Sequence, residues 1–437
     1  MDYLREYERK TRASKKAFER ALKVMPGGVS HDLRFYPPYP IYLRKASGSK
    51  IWDLDLNEYV DFWMGHFALI LGHSPDFLAK ELEEQLKLGT HWGTVSELSV
   101  ELANLVCDFV PCAEKVRFCN TGTEATMYAI RLARAYSGKK TILKAEGGWH
   151  GANTELTYAI SKPFEERESL GLLKELERYC KTFPFNDLTT LDIIKKTENL
   201  AALIIEPVLG ANGFIPAKKE YLKALREEAE RREFVLIFDE VITGFRLGLG
   251  GAQEYYGIKP HLTTLGKILG GGLPIGAVAG EEEILNLASP MREKHEKVKI
   301  GGGTFSCNPL SMRAGIAMLK YLRENKKLFK RIGSLGKKLR ERLNREFHEK
   351  DFLAISTGIE SLFQIHLPFE RCIRLESARD VLYHTDTNRR DSEFKVRLIN
   401  KGFYTMHGGG AISEAHTRKE LDEFLKASLE ALGEIYK

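Results

Sequence analysis

Residues 233–244 read EFVLIFDEVITG: five apolar side chains in a row, two carboxylates, then a glycine turn. A run of strand length that is apolar on both faces belongs in a sheet covered on both sides, and such sheets are mostly parallel. Similar runs precede it, KTILKAEG (Lys140 to Gly147) and LAALIIEPV (Leu200 to Val208). Further upstream KVRFCN (Lys115 to Asn120) gives way to TGTEATMYAIRLARAY, whose apolar residues recur at helical spacing. Strands alternating with amphipathic helices predict an α/β middle to the chain.

Outward from that core, three segments are expected. Residues 1–60 hold a charged helical arm, the proline-rich turn FYPPYP (Phe35 to Pro40) and a hairpin-bearing segment. Residues 61–305 form the large domain with its mostly parallel sheet. Residues 306–437 carry the helices LSMRAGIAMLKYLREN and KRIGSLGKKLRERLNREF, short strands and a closing helix, a smaller C-terminal α+β domain.

Composition limits the partners. The 437 residues are 43% hydrophobic and 29% charged with a formal charge of +6, enough to bury a large core. No dense Lys/Arg block with interleaved aromatics is present, so no nucleic-acid partner is expected. Runs such as KKLRERLNREFHEK (Lys337 to Lys350) mix signs and read as a solvated helix face. The N-terminal stretch is charged throughout, neither signal peptide nor membrane span, and no membrane partner is expected. Six cysteines (Cys107, Cys112, Cys119, Cys180, Cys307, Cys372) lack CxxC pairs and zinc spacing, which predicts a reduced, cytoplasmic chain without a metal. Only three glutamines stand among abundant Lys and Glu, a bias of proteins from hot environments.

The candidate chemistry sits at strand ends. NTGTEAT (Asn120 to Thr126) places small residues before a helix, whose first-turn N–H groups bind phosphate; equally, Thr121 or Thr123 simply caps the helix. Asp239 and Glu240 close an apolar strand, where burial penalises each carboxylate without a partner, and such an edge usually faces a ligand or a metal. Glu206 closes the neighbouring run, and GGWHG sets Trp149 beside His150, where a tryptophan serves as core or as a flat platform. In TTLGKILGGGLPIGAV (Thr263 to Val278) Lys267 stands alone among glycines, either a solvated turn or a buried amine held for chemistry. Taken together, a phosphate turn, an aromatic face, a carboxylate and a desolvated amine describe a site for pyridoxal phosphate. Its phosphate needs N–H donors, its ring a stacking face, its ring nitrogen an anion, and its aldehyde an amine of lowered pKa.

Ten ordered segments carry a family resemblance along nearly the whole chain: MPGGVS, IWDLDLNEYVDF, LGHSP, FCNTGTEATMYAIRLARAYSGK, WHGAN, IIEPVLG, LIFDEVITGFR, GGAQEYYGIKPHLTTLGKILGGGLPIGAVAG, GGTFSCNPLSM and SEAHT. The sequence resembles class III aminotransferases, nearest to the glutamate-1-semialdehyde 2,1-aminomutase and β-amino-acid aminotransferase subgroup. The resemblance implies a fold-type-I homodimer with its active site at the subunit interface. It implies Lys267 as the amine that forms a Schiff base with the cofactor and then shuttles a proton, and Asp239 as partner of the pyridine nitrogen. Val241 and Trp149 are expected on the two ring faces, Gly122 and Thr123 at the phosphate, and Thr304 at the phosphate of the neighbouring subunit's cofactor. His150 and Glu206 are expected to support the cofactor pocket, and Arg34 in SHDLRF to hold a substrate carboxylate.

Several positions depart from the aminomutase pattern. His66 stands in MGHFA where a tryptophan is expected, and Ala211 replaces an asparagine. Gly408 occupies the place of an acidic residue, and ISKPFEERESLGLLKELE replaces a serine-bearing lid. These favour an aminotransferase that moves an amino group from a carboxylate-bearing amine, such as a β-amino acid, to a 2-oxo acid by a ping-pong scheme. The aminomutase comes second, an amino-acid racemase or epimerase third. A non-enzymatic nucleotide-binding or scaffold protein ranks last, since no GxxxxGK[ST] sequence accompanies the NTGTEAT turn.

Overall fold

A computed structural model describes residues 2–371 and 373–437, so Cys372 lies outside the described residues. The chain divides into two compact units, where the sequence suggested three successive segments. A central unit comprises Asp76–Lys330 with Arg374–Tyr383; a split unit comprises Met1–Pro75, Arg331–Ile373 and His384–Lys437.

Seven strands form the sheet of the central unit: β1 (Lys115–Cys119), β2 (Thr141–Ala145), β3 (Cys180–Phe183), β4 (Leu200–Ile205), β5 (Val235–Asp239), β6 (Leu262–Gly266) and β7 (Gly276–Gly280). Their spatial order is β1-β7-β6-β5-β4-β2-β3, and only β7 runs antiparallel to its neighbours. Strands β2, β4, β5, β6 and β7 are buried at every position, which is why their sequences run apolar instead of alternating. The helix Gly122–Ser137 follows β1, with Thr121 as its N-cap in a capping box with Glu124. At Gly276 an added Cβ would lie 2.2 Å from the Thr121 carbonyl oxygen, so only glycine lets β7 pass this close to the turn before that helix. The helix Pro309–Glu324 belongs to this unit as well, although it follows the boundary expected near residue 306.

The split unit is held by pairing remote in sequence. Leu43–Ser47, Lys50–Asp53 and Glu58–Asp61 form an antiparallel meander, and Phe403–Tyr404 adds to it in parallel, pairing Phe403 with Val60. This pairing draws the N-terminal segment into one unit with the C-terminal strands. A second, antiparallel sheet holds Ile355–Thr357, Leu362–His366 and Gly409–Ala411. Between them Phe62 packs against Phe363 and Phe424, with centroid distances of 5.2 and 4.8 Å, and lies stacked on His416 at 4.6 Å. No described helix is long and apolar enough to cross a membrane, and the five described cysteines are free thiols.

His416 is buried in that aromatic core and its Nδ1 accepts the Ser413 N–H at 3.0 Å. Burial lowers its pKa to about 4, below the value of about 6.5 it has in the unfolded chain. As pH falls the unfolded chain is protonated first, so the stability this neutral ring contributes is complete above pH 6.5 and lost on descent towards pH 4. In thermal melts, His416→Asn keeps an acceptor for Ser413 but removes the titration. It should be less stable at neutral pH, yet show a loss between pH 6.5 and 4 that is shallower by up to roughly 3 kcal/mol.

Candidate functional site

The carboxyl edge of the central sheet gathers Asp239, Glu206 and Lys267, with His150 bonded to the first and the Trp149 backbone to the second. Asp239 ends β5, and its parallel register with β6 sets it opposite Thr264. Its Oδ1 accepts the Thr264 hydroxyl at 2.9 Å and the Val241 N–H at 3.2 Å. Its Oδ2 lies 2.7 Å from His150 Nδ1. A carboxylate only accepts, so Nδ1 carries the proton and donates. Burial lowers the His150 pKa although Asp239 opposes this, so the ring stays neutral near pH 7. Its Nε2 finds no hydrogen-bond partner among the described residues. With two bonds at Oδ1 and one at Oδ2, Asp239 keeps one acceptor position on Oδ2.

Glu206, at the end of β4, accepts the Trp149 N–H at 2.9 Å and the Gly210 N–H at 3.1 Å. Burial, reinforced by the Asp239 charge, raises its pKa to about 8. Glu240 is differently employed: it accepts from the Thr243 hydroxyl at 3.0 Å, the Gln253 amide at 2.9 Å and the Ala252 N–H. These partners make Glu240 a brace between the β5 end and the helix Gly251–Tyr256.

Lys267 directly follows β6 at φ 49, a left-handed conformation that is strained for a lysine and is held by its surroundings. Its side chain is half-buried. Desolvation lowers its pKa, while Asp239 and Glu206 pull it back up and Arg246 pushes it further down. It is a desolvated amine within electrostatic reach of two carboxylates and not a solvated turn residue.

Thr121 is the residue that caps its helix: its hydroxyl accepts the Glu124 N–H at 3.2 Å. The first-turn N–H groups of Gly122 and Thr123 have no acceptor within the helix and remain available for an anion. The Thr123 hydroxyl accepts the Ala152 N–H at 3.3 Å, tying the helix start to the GGWHG turn. An added Cβ on Gly122 would come within 3.1 Å of the Val241 side chain, so these two elements nearly touch. Trp149 is 39% exposed, an aromatic face left open and not a core residue. Thr304 lies exposed on the loop before the helix Pro309–Glu324.

The donor set fits pyridoxal phosphate. First-turn N–H groups suit a phosphate, the remaining acceptor position of Asp239 suits a protonated ring nitrogen, and Lys267 is an amine held partly out of water. The sequence reading missed Thr264. Its position was visible, in a run of two threonines just before Lys267, but its partner depends on the β5–β6 register.

Arg34 and His66 belong to the split unit. Both line a groove of about 410 Å³ there, together with Trp63, Tyr404 and Tyr42. His66 contacts the Trp63 ring edge-on at 4.7 Å and the His31 ring at 5.0 Å.

Comparison with known proteins places the chain among relatives. The family model described as Aminotransferase class-III matches residues 34–357. A glutamate-1-semialdehyde 2,1-aminomutase of Archaeoglobus fulgidus is 38% identical over 96% of this chain and 99% of its own length. Among solved structures, an omega-transaminase from Sphaerobacter thermophilus superposes with a TM-score of 0.90 at 33% identity, covering 97% of this chain and 98% of that one. A β-phenylalanine aminotransferase from Variovorax paradoxus gives 0.89 at 30% identity, covering 99% and 96%.

Removing one donor from Asp239 should loosen the hold on the cofactor. For Thr264→Val, equilibrium dialysis against pyridoxal phosphate should give a dissociation constant about 5–10-fold weaker than wild type, the net worth of one typical hydrogen bond. An unchanged constant would remove Thr264 from the site.

Proposed function

Because this chain belongs to the class III aminotransferase family and uses pyridoxal phosphate as its cofactor, we propose that it relocates an amino group within one carboxylate-bearing substrate, the reaction of a glutamate-1-semialdehyde 2,1-aminomutase. The observation that carries this reading is the near-full-length similarity to proteins of that name, from 35 to 40% identical over 90% or more of the chain.

When bound, pyridoxal phosphate supplies an electron sink for negative charge at the carbon that bears the amino group. Lys267 would hold the cofactor by its carbonyl carbon, and as a neutral amine it would take a proton from the substrate carbon and hand one back to the carbon that receives it. Burial suits it to this work by lowering its pKa, so that a neutral amine is accessible nearer to neutral pH. Asp239 would keep the ring nitrogen protonated through the acceptor position that Thr264, Val241 and His150 leave open. Gly122 and Thr123 receive the phosphate on their N–H groups. Val241 and Trp149 would flank the ring, and Glu206 fixes the Trp149 backbone. Arg34 holds the substrate carboxylate through its planar fork, with His66 beside it. The exposed Thr304 would reach the cofactor phosphate of a second copy, which makes the proposed working form a homodimer; the proposed location is the cytoplasm.

The second reading is an aminotransferase that takes an amino group from a carboxylate-bearing amine, such as a β-amino acid, and gives it to a 2-oxo acid. It is favoured by His66 in the groove, by Gly408 in place of an acidic residue, and by the transaminase names of the structural relatives.

Incubation with glutamate-1-semialdehyde alone separates the two. The first reading expects full conversion with no second substrate; conversion only when an amino donor and a 2-oxo acid are both supplied establishes the second. In either assay Lys267→Ala should lower turnover by at least about 1,000-fold, the scale of losing an acid–base group, while its melting temperature stays within a few degrees of wild type.

A further inference from the structure

Lys395 is 4% exposed and lies on the helix Lys395–Asn400 of the split unit. A buried ammonium is costly unless something replaces its water. Among the described residues it has no ion pair and no hydrogen bond; it has rings. Its Nζ stands 4.3 Å from the centroid of Tyr36, 5.1 Å from that of Trp63 and 5.5 Å from that of Tyr404. Three aromatic faces around one amine form a cage that favours its charged form.

Two of these rings have a second surface. Trp63 and Tyr404 stack on each other at 5.6 Å and 17°, and both line the groove that holds Arg34. The groove wall therefore has a cation directly behind it and a second cation, Arg34, on its lining. The other charged or titratable groups around Lys395 are Asp391 and Arg390 on the preceding turn, then Tyr36, Tyr404 and, on the groove, Asp61 and His66. Burial lowers the Lys395 pKa to about 8, with Asp391 opposing, so the amine is largely charged at pH 7.

We propose that Lys395 is a specificity-determining residue of this groove: its caged charge, acting through the Trp63 and Tyr404 rings, makes the groove select a carboxylate-bearing ligand over an uncharged ligand of the same shape. The inference rests on the reading of Arg34 as the carboxylate-binding residue and deepens it. Arg34 supplies the direct hydrogen bonds. Lys395 supplies a field through a ring wall that keeps water out and so screens the charge less than solvent would, a field an uncharged ligand does not feel.

The test compares two probes of one shape, 3-phenylpropanoate and 3-phenylpropanamide, titrated calorimetrically into the holoenzyme at pH 7. Wild type should prefer the carboxylate. Lys395→Met, a neutral side chain of similar length, should bind the carboxylate about tenfold more weakly and the amide unchanged, the scale of one charge acting across a partly screened wall. Lys395→Arg should keep the preference, and Lys395→Gln serves as the neutral variant should the methionine variant fail to fold. Equal weakening of both probes would make Lys395 a structural residue and overturn the proposal, as would a neutral variant with the full wild-type preference. Arg34→Met, run in parallel, separates the two levels: loss of preference there with retention in the neutral Lys395 variants overturns the Lys395 inference alone. Retention in both overturns the reading of this groove as the carboxylate site.

Discussion

A carboxylate buried at the end of a fully buried strand must be paired, and the arrangement around Asp239 follows from that requirement. Left alone, such a charge costs several kcal/mol. Thr264 meets it because β6 pairs with β5 in the register that sets the two residues opposite each other. The Val241 N–H meets it because the chain turns at once after the strand. His150 meets it because the GGWHG turn folds back over the sheet edge, and that turn is itself pinned by a second buried charge: Lys144 donates to the Gly148 carbonyl at 2.9 Å and to the Tyr158 carbonyl. The turn that presents Trp149 is thus fixed by the same electrostatic demand that orients Asp239.

Burial then holds the neighbouring charges at values unlike those in water. Lys144 and Lys267 are driven down by desolvation, Lys144 to about 8, and Glu206 is driven up to about 8 by burial and by Asp239. With Glu206 raised to about 8, this carboxyl is largely uncharged near neutral pH. Groups poised in this way exchange protons readily, as the acid–base role proposed for Lys267 requires. The left-handed backbone at Lys267 belongs to the same bargain, since strain persists only where its surroundings impose it.

The split unit solves a buried charge by other means. Lys395 is wrapped in rings and not met by a carboxylate, and those rings double as the wall of the groove that holds Arg34. A solvated lysine would serve neither purpose.

Much of this was written in local pattern. Doubly apolar runs identified the central strands because a strand buried on both faces leaves no place for a polar side chain. The TGTE sequence contained the Thr121–Glu124 capping box, and the order of ten short motifs fixed the family. What the sequence left level, the tertiary structure separated. Asp239 and Glu240 are adjacent carboxylates with equal claims on paper, yet the strand's alternation sends one to the open edge and the other into a brace with Gln253. Thr264 and Lys395 gave no signal of their own, since their roles rest on partners brought near by strand register and ring packing. The union of the N-terminal meander with Phe403–Tyr404 was equally hidden, because pairing between remote strands depends on the folded backbone and leaves no periodicity in the chain.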